Sequence, residues 1–266
     1  MKKIIQFLYL FIIGICLTAC TSDESDVNYG NGGNGGNGNP DLSNTLATGA
    51  SANELLSDDR FDEIVIEAVY ADGFKPEQSS LNNLRVFLNA RLHKPGGISI
   101  LEREVPAQEL GTYSIDEIRD IEDNLRTQSS TGNTLSIFVF FAEESNESDT
   151  ENRVVLGTAY SNTSLVMFQK TIEEFSGGLN QPSRENVEST VYQHEFSHIM
   201  GLVNIGTALQ SSHEDAANNG HCDVSGCLMS AQLEAFNPLD MLSVVGSSVA
   251  QLDAQCIADL QANGGK

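Results

Sequence analysis

Residues 191–229 read VYQHEFSHIMGLVNIGTALQSSHEDAANNGHCDVSGCLM and hold four of the chain's five histidines, His194, His198, His213 and His221, with two of its five cysteines. Within this stretch His194-Glu195-Phe196-Ser197-His198 has the spacing H-E-x-x-H. Residues four apart on an α-helix share a face, one turn above each other. The spacing therefore predicts a helix that aims two imidazoles at one point. Zn²⁺ accepts neutral histidine nitrogens, and a catalytic site has three protein ligands with a fourth position left open. Glu195, one residue on from His194, falls beside such an ion rather than on it, which is the place for a general base acting on water at the metal. Pro182 and Ser183 mark the helix start, Val187 and Val191 continue an apolar i, i+4 row, and Gly201 marks the stop.

Gly201 extends the pattern to H-E-x-x-H-x-x-G. Here the tract resembles the metzincin zinc metalloproteases, whose pattern runs H-E-x-x-H-x-x-G-x-x-H and is followed by a turn carrying a methionine. Asn204 stands where the third histidine of that pattern would be. Further on, His221-Cys222, four residues, then Cys227-Leu228-Met229 reads H-C-x4-C-x-M. This is similar to the archaemetzincin branch, in which the third zinc histidine is followed by a cysteine and then by the Met-turn.

On that resemblance His221 is the third zinc ligand, Met229 the Met-turn residue, and residues 203–220 an inserted loop of the kind leishmanolysin-like metzincins carry. His213 is the competing candidate for the third ligand. The downstream C-x-x-C that archaemetzincins use for a second zinc is missing, so a single zinc is expected. The resemblance is specific over residues 194–229; elsewhere it rests on the order of elements. It implies a zinc endopeptidase with an α+β, metzincin-like fold: a mixed twisted sheet packed on helices, an H-E-x-x-H helix, a Met-turn and a C-terminal helix. In that family the last strand before the zinc helix pairs with extended substrate, and residues 157–168 lie in that place.

Cys222 and Cys227 admit two readings, a disulfide closing a short loop or soft metal ligands. An exported chain favours the disulfide. Cys256 is then either a buried thiol or a competing partner. Asp215, Asn218, Asn219 and Asp223 offer oxygen ligands for Ca²⁺ in the inserted loop, although such a run is more often simply hydrophilic. Lys and Arg total 14 against 37 Asp and Glu, a net charge of -23. That balance argues against nucleic acid and against direct adsorption on anionic lipid, and favours basic or neutral substrates; a protein or peptide substrate is what the metzincin resemblance implies.

The chain starts with the basic Met1-Lys2-Lys3, and residues 4–17 form an apolar run. It is too short to span a bilayer comfortably and reads as a signal-peptide core. Leu17-Thr18-Ala19-Cys20 resembles a bacterial lipobox, with Cys20 as the lipidated residue; Cys16 falls in the removed part. The expected location is therefore the bacterial cell envelope, lipid-anchored at the outer membrane, on either its periplasmic or its surface face. Residues 20–52, rich in Gly and Asn from 30 to 40, read as a flexible linker. Residues 53–266 have the length of one domain with a sizeable core.

Inside that domain, alternation predicts a strand over 62–70 and a second over 98–104. Leu81, Leu84, Leu88 and Leu92 mark an amphipathic helix ending before Pro95. Ser114 with Glu117 forms a capping box ahead of Ile118, Ile121 and Leu125. The continuous apolar run 135–142 predicts a central strand buried on both faces. Residues 154–160 and 164–168 predict two more strands, and Leu252, Cys256 and Leu260 a last helix. Two alternatives to an enzyme remain at this level. One is a non-catalytic zinc-binding lipoprotein whose metal is closed by His194, His198, His213 and His221; the other is a surface binding module with a vestigial site.

Overall fold

The central strand of the sheet is the apolar run anticipated above. Strand β3, Thr134–Phe141, places Leu135, Ile137, Val139 and Phe141 on one face and Phe138 and Phe140 on the other, all fully buried. Burial on both faces requires helices on both sides of the sheet. In this computed structural model, which describes residues 42–108, 111–237 and 245–266, the 5-stranded sheet has the order β2-β1-β3-β6-β5. Here β1 is Glu63–Ala71, β2 Gly97–Val105, β5 Gly157–Ser161 and β6 Ser164–Met167. The pairs β1·β2, β1·β3 and β3·β6 are parallel, while β5 runs antiparallel to β6 and forms one edge. The expected mixed sheet is therefore mostly parallel.

Helix α2, Gln78–Arg91, buries Leu81, Leu84 and Leu88 on one face of the sheet, together with Val187 and Val191 of helix α5, Arg184–Ile199. Helix α3, Ile115–Leu125, buries Ile118 and Ile121 on the opposite face. Its start is the expected capping box: Glu117 N–H donates to the Ser114 hydroxyl, and Ser114 N–H donates to the Glu117 carboxylate. The C-terminal helix α6, Ala254–Ala262, is capped by Asp253, which accepts from Gln255 and Cys256 N–H.

Three parts of the sequence reading change. The predicted strand over 154–160 divides into β4, Val154–Val155, and the edge strand β5; β4 pairs antiparallel with a short β7, Ala235–Phe236. Two short helices, α1 at Ala52–Leu56 and α4 at Gln169–Glu174, carry too few turns to show a periodic pattern. The folded unit also begins before residue 53. Asn162 N–H donates to Leu46 O at 3.0 Å, Thr48 Oγ1 donates to Ala159 O at 2.9 Å, and Leu42 packs on the core. The expected signal peptide, Cys20 and the linker up to residue 41 lie outside the described residues. Among the described residues no helix is long and apolar enough to cross a membrane.

Candidate metal centre

Helix α5 starts where Pro182-Ser183 indicated, with the Ser183 hydroxyl accepting from Asn186 N–H at 3.2 Å. It stops at Ile199, two residues before Gly201, which has φ 83° and faces the Thr207 backbone so closely that a Cβ would lie 2.5 Å from Thr207 N. Only glycine meets both conditions. The last turns of α5 are buried all round, and this burial takes His194 and His198 into the interior.

Three histidine rings meet there. Their centroids lie 4.8 Å (His194–His198), 5.4 Å (His194–His221) and 5.0 Å (His198–His221) apart. Each ring is held through Nδ1 by a backbone carbonyl: His194 by Leu228 O at 2.7 Å, His198 by Leu202 O at 3.2 Å, His221 by Asn219 O at 3.3 Å. A carbonyl only accepts, so each Nδ1 carries the proton and each Nε2 a lone pair. The lone pairs converge, with His194 Nε2 and His198 Nε2 3.1 Å apart. Fixing the outer nitrogen this way is how proteins orient histidine metal ligands.

The donor set fits Zn²⁺. His221 Nε2 and Glu195 Oε1 are buried without a hydrogen-bond partner, and a buried polar atom is costly unless something satisfies it. Burial pushes His194 down to about 4 and His198 down to about 3, so both stay neutral, as metal ligation requires. Met229, the residue assigned to the Met-turn, is fully buried next to Leu228, whose carbonyl holds His194, and its own carbonyl accepts from Cys222 N–H at 2.7 Å.

Glu195, next to His194 in the chain, reaches from α5 to the sheet edge. Its Oε2 accepts from Ala159 N–H of β5 at 2.8 Å. Burial, and secondly the charge of Glu234, push its carboxyl well above the usual range. A cation among the histidines would oppose both effects. The outer edge of β5, expected to pair with substrate, is engaged at Ala159 on both sides of the residue: its N–H goes to Glu195, its C=O to Thr48.

Glu234 is the member of this group that no sequence pattern marked. The ligand atoms of His194, His198, His221 and Glu234 all lie within 4.8 Å of one another, and Glu234 Oε2 is 2.7 Å from His221 Nε2.

His213 is elsewhere. It forms a second group with Cys222, Asp253 and Cys256, whose ligand atoms are also within 4.8 Å of one another. His213 Nδ1 is 3.3 Å from Cys222 Sγ and 3.9 Å from Cys256 Sγ, and its Nε2 is 2.7 Å from Asp259 Oδ2. The expected Cys222–Cys227 disulfide is not formed: Cys222, Cys227 and Cys256 are free buried thiols, and Cys227 Sγ instead faces Cys256 Sγ at 3.7 Å. Cys222 turns toward His213 and Asp253, which removes it from Cys227 as a bonding partner. Asn204 lies outside both groups, donating to Glu214 at 3.0 Å. Among the described residues neither group includes Asp215 or Asp223; Asp215 instead closes its own turn, accepting from Ala217 N–H and Asn218 Nδ2.

The architecture is shared with a known protein. Archaemetzincin from Methanopyrus kandleri superposes with a TM-score of 0.51 at 15% sequence identity, covering 77% of this chain and 97% of its own. Metalloproteinase-II from Bacteroides fragilis gives a TM-score of 0.42 at 11% identity, over 85% of this chain and 57% of its own. No protein-family model and no curated protein matches the sequence. What the superposition with archaemetzincin establishes is the fold: a mixed α/β architecture with a mostly parallel sheet and packed helices.

Proposed function

We propose that this chain is a zinc-dependent endopeptidase of the bacterial cell envelope, anchored at the outer membrane, on its periplasmic or its surface face, by a lipid on Cys20. The observation that carries the reading is the convergence of three histidine Nε2 atoms beside one unpaired carboxylate oxygen, that of Glu195. Zinc, when bound, supplies Lewis-acid polarisation of the scissile carbonyl and makes water a stronger acid.

The chain does the rest. His194, His198 and His221 hold the ion. Ala159 fixes Glu195 Oε2, so Oε1 is the atom left to take a proton from the attacking water and return it to the leaving amine. Met229 supports the ligand base without contacting reactants. Substrate adds along the outer edge of β5, a general mode of peptide binding, once Thr48 releases the Ala159 carbonyl, while the Ala159 N–H stays on Glu195. A site closed by four histidines is not favoured, because His213 belongs to the second group.

The sequence leads to a single zinc; a second group of donors is the ground for proposing one more. His213, Cys222, Asp253 and Cys256 offer soft and hard donors in one buried cluster, and Asp259 orients His213 as outer carboxylates orient zinc histidines. We therefore take a second, structural zinc to be held there, in place of the missing C-x-x-C.

The test is hydrolysis of a mixed peptide library by the purified protein, before and after removal of metal with a chelator and after return of Zn²⁺. Cleavage that is lost, restored by zinc and absent in His194→Ala supports the reading. Cleavage indifferent to metal, or none from zinc-loaded protein, ends it.

A further inference from the structure

Glu234 follows a 3-10 turn at Ala231–Leu233 and precedes β7. Its backbone is fixed from both sides. Leu233 is buried in the core, Leu156 N–H donates to Glu234 O at 3.4 Å, and the next two residues pair with β4. The side chain is thereby delivered to the three histidines by a segment separate from helix α5.

Its contact with His221 is not that of an ordinary ion pair. Glu234 Oε2 is 2.7 Å from His221 Nε2 without completing a hydrogen bond to it. The Nδ1 of the same ring faces Asn219 O, which only accepts, so Nδ1 carries the ring's proton and Nε2 its lone pair. Two lone-pair atoms this close repel unless a positive charge is shared between them. Two neighbouring lone pairs, on His194 and His198 Nε2, point into the same space. The four atoms make a converging donor set, and Zn²⁺ accepts both imidazole nitrogen and carboxylate oxygen.

We propose that Glu234 is a fourth protein ligand of the ion held by His194, His198 and His221, so that the resting site is closed by the chain's own carboxylate and admits water or substrate only when Glu234 withdraws. The inference rests on reading those three histidines as metal ligands. Withdrawal is available to the side chain: Glu234 is 32% exposed where His221 is 10%, so the carboxylate has solvent to turn into while the histidine stays. The closing residue is also tied to the substrate edge, since Leu156, which binds the Glu234 carbonyl, directly precedes Gly157 of β5. A strand entering along β5 meets the segment that holds Glu234 in place.

The experiment compares full-length wild type with Glu234→Gln, which keeps size and loses charge. Zinc affinity is measured by chelator competition, and the cobalt-substituted proteins are compared through the visible bands that disappear in His194→Ala. Affinity of acetohydroxamate, a small metal-binding probe, is measured on both. The proposal expects Glu234→Gln to bind zinc at least about 10-fold more weakly, to shift the cobalt bands, and to bind acetohydroxamate more tightly than wild type does. Unchanged zinc affinity with unchanged bands would leave Glu234 as a partner of His221 only and overturn the proposal, with the three-histidine site intact. A wild type whose metal content is indifferent to His194→Ala would overturn both.

Discussion

Ala159 donates its amide to Glu195 Oε2 at 2.8 Å, so the edge strand of the sheet fixes the carboxylate that follows His194 on helix α5. The other oxygen, Oε1, is buried and unpaired. Glu195→Gln retains a carbonyl oxygen for Ala159 and the same shape, but removes the proton acceptor. Zinc content is expected to stay at the wild-type value while kcat/KM falls by about 100- to 10,000-fold, the usual worth of a general base. A variant that hydrolyses peptides at the wild-type rate would remove Glu195 from the chemistry.

The approach of helix α5 to that strand is as close as it is because residue 157 has no side chain. A Cβ on Gly157 would lie 2.9 Å from Glu195 Cγ and 2.9 Å from Val191 Cγ1. Gly157→Ala forces the helix and strand apart, at a cost of about 1–3 kcal/mol for overpacking. Displacing Glu195 by even part of an ångström is expected to lower kcat up to about 100-fold. Thermal unfolding and single-turnover kinetics read the two effects separately; an unaltered kcat in a destabilised variant would show that the contact matters to packing alone.

Separate ligand groups make separate predictions for metal content. Zinc-loaded wild type is expected to hold two ions. His221→Ala is expected to lose the ion beside Glu195 and with it hydrolysis, keeping the other. His213→Ala is expected to lose the ion at Cys222 and Cys256 and to be less stable, while the first site still fills. Elemental analysis with thiol titration decides the matter. One ion in wild type together with a Cys227–Cys256 disulfide would show that the second group is oxidised rather than metallated.

Local pattern made much of this legible. The run around Phe138 and Phe140, the leucines of α2, the Ser114 capping box and the H-E-x-x-H spacing are decided by neighbours a few residues apart, and each appears where periodicity or capping places it. What sequence pattern missed is held by distant contacts. Glu234 reaches His221 across 13 positions from the end of a short 3-10 turn, a spacing no helix or strand repeats. Residues 43–51 look like linker because they are small and polar, yet Thr48 and Leu46 find backbone partners more than a hundred positions away. That Cys227 Sγ faces Cys256 rather than Cys222 depends on where α6 packs, which cysteine spacing does not encode.

The last prediction concerns acid. In the metal-free protein burial lowers His194 to about 4 and His198 to about 3 from an ordinary 6.5. Between those values the unfolded chain binds protons that the native chain refuses. Stability therefore rises with pH across this window and is lost as pH falls from about 6.5 toward 4. Other groups titrate in the same range, so the comparison is with His194→Gln/His198→Gln, in which neither ring remains. The urea midpoint of metal-free wild type is expected to fall more steeply from pH 7 to pH 4.5 than that of the double variant. Loading zinc is expected to raise the midpoint most at the upper end of the range, where the ligands need lose no proton in either state. Parallel slopes for the two proteins would mean that the histidines are charged in the folded, metal-free chain, and that their burial does not hold them ready for a metal.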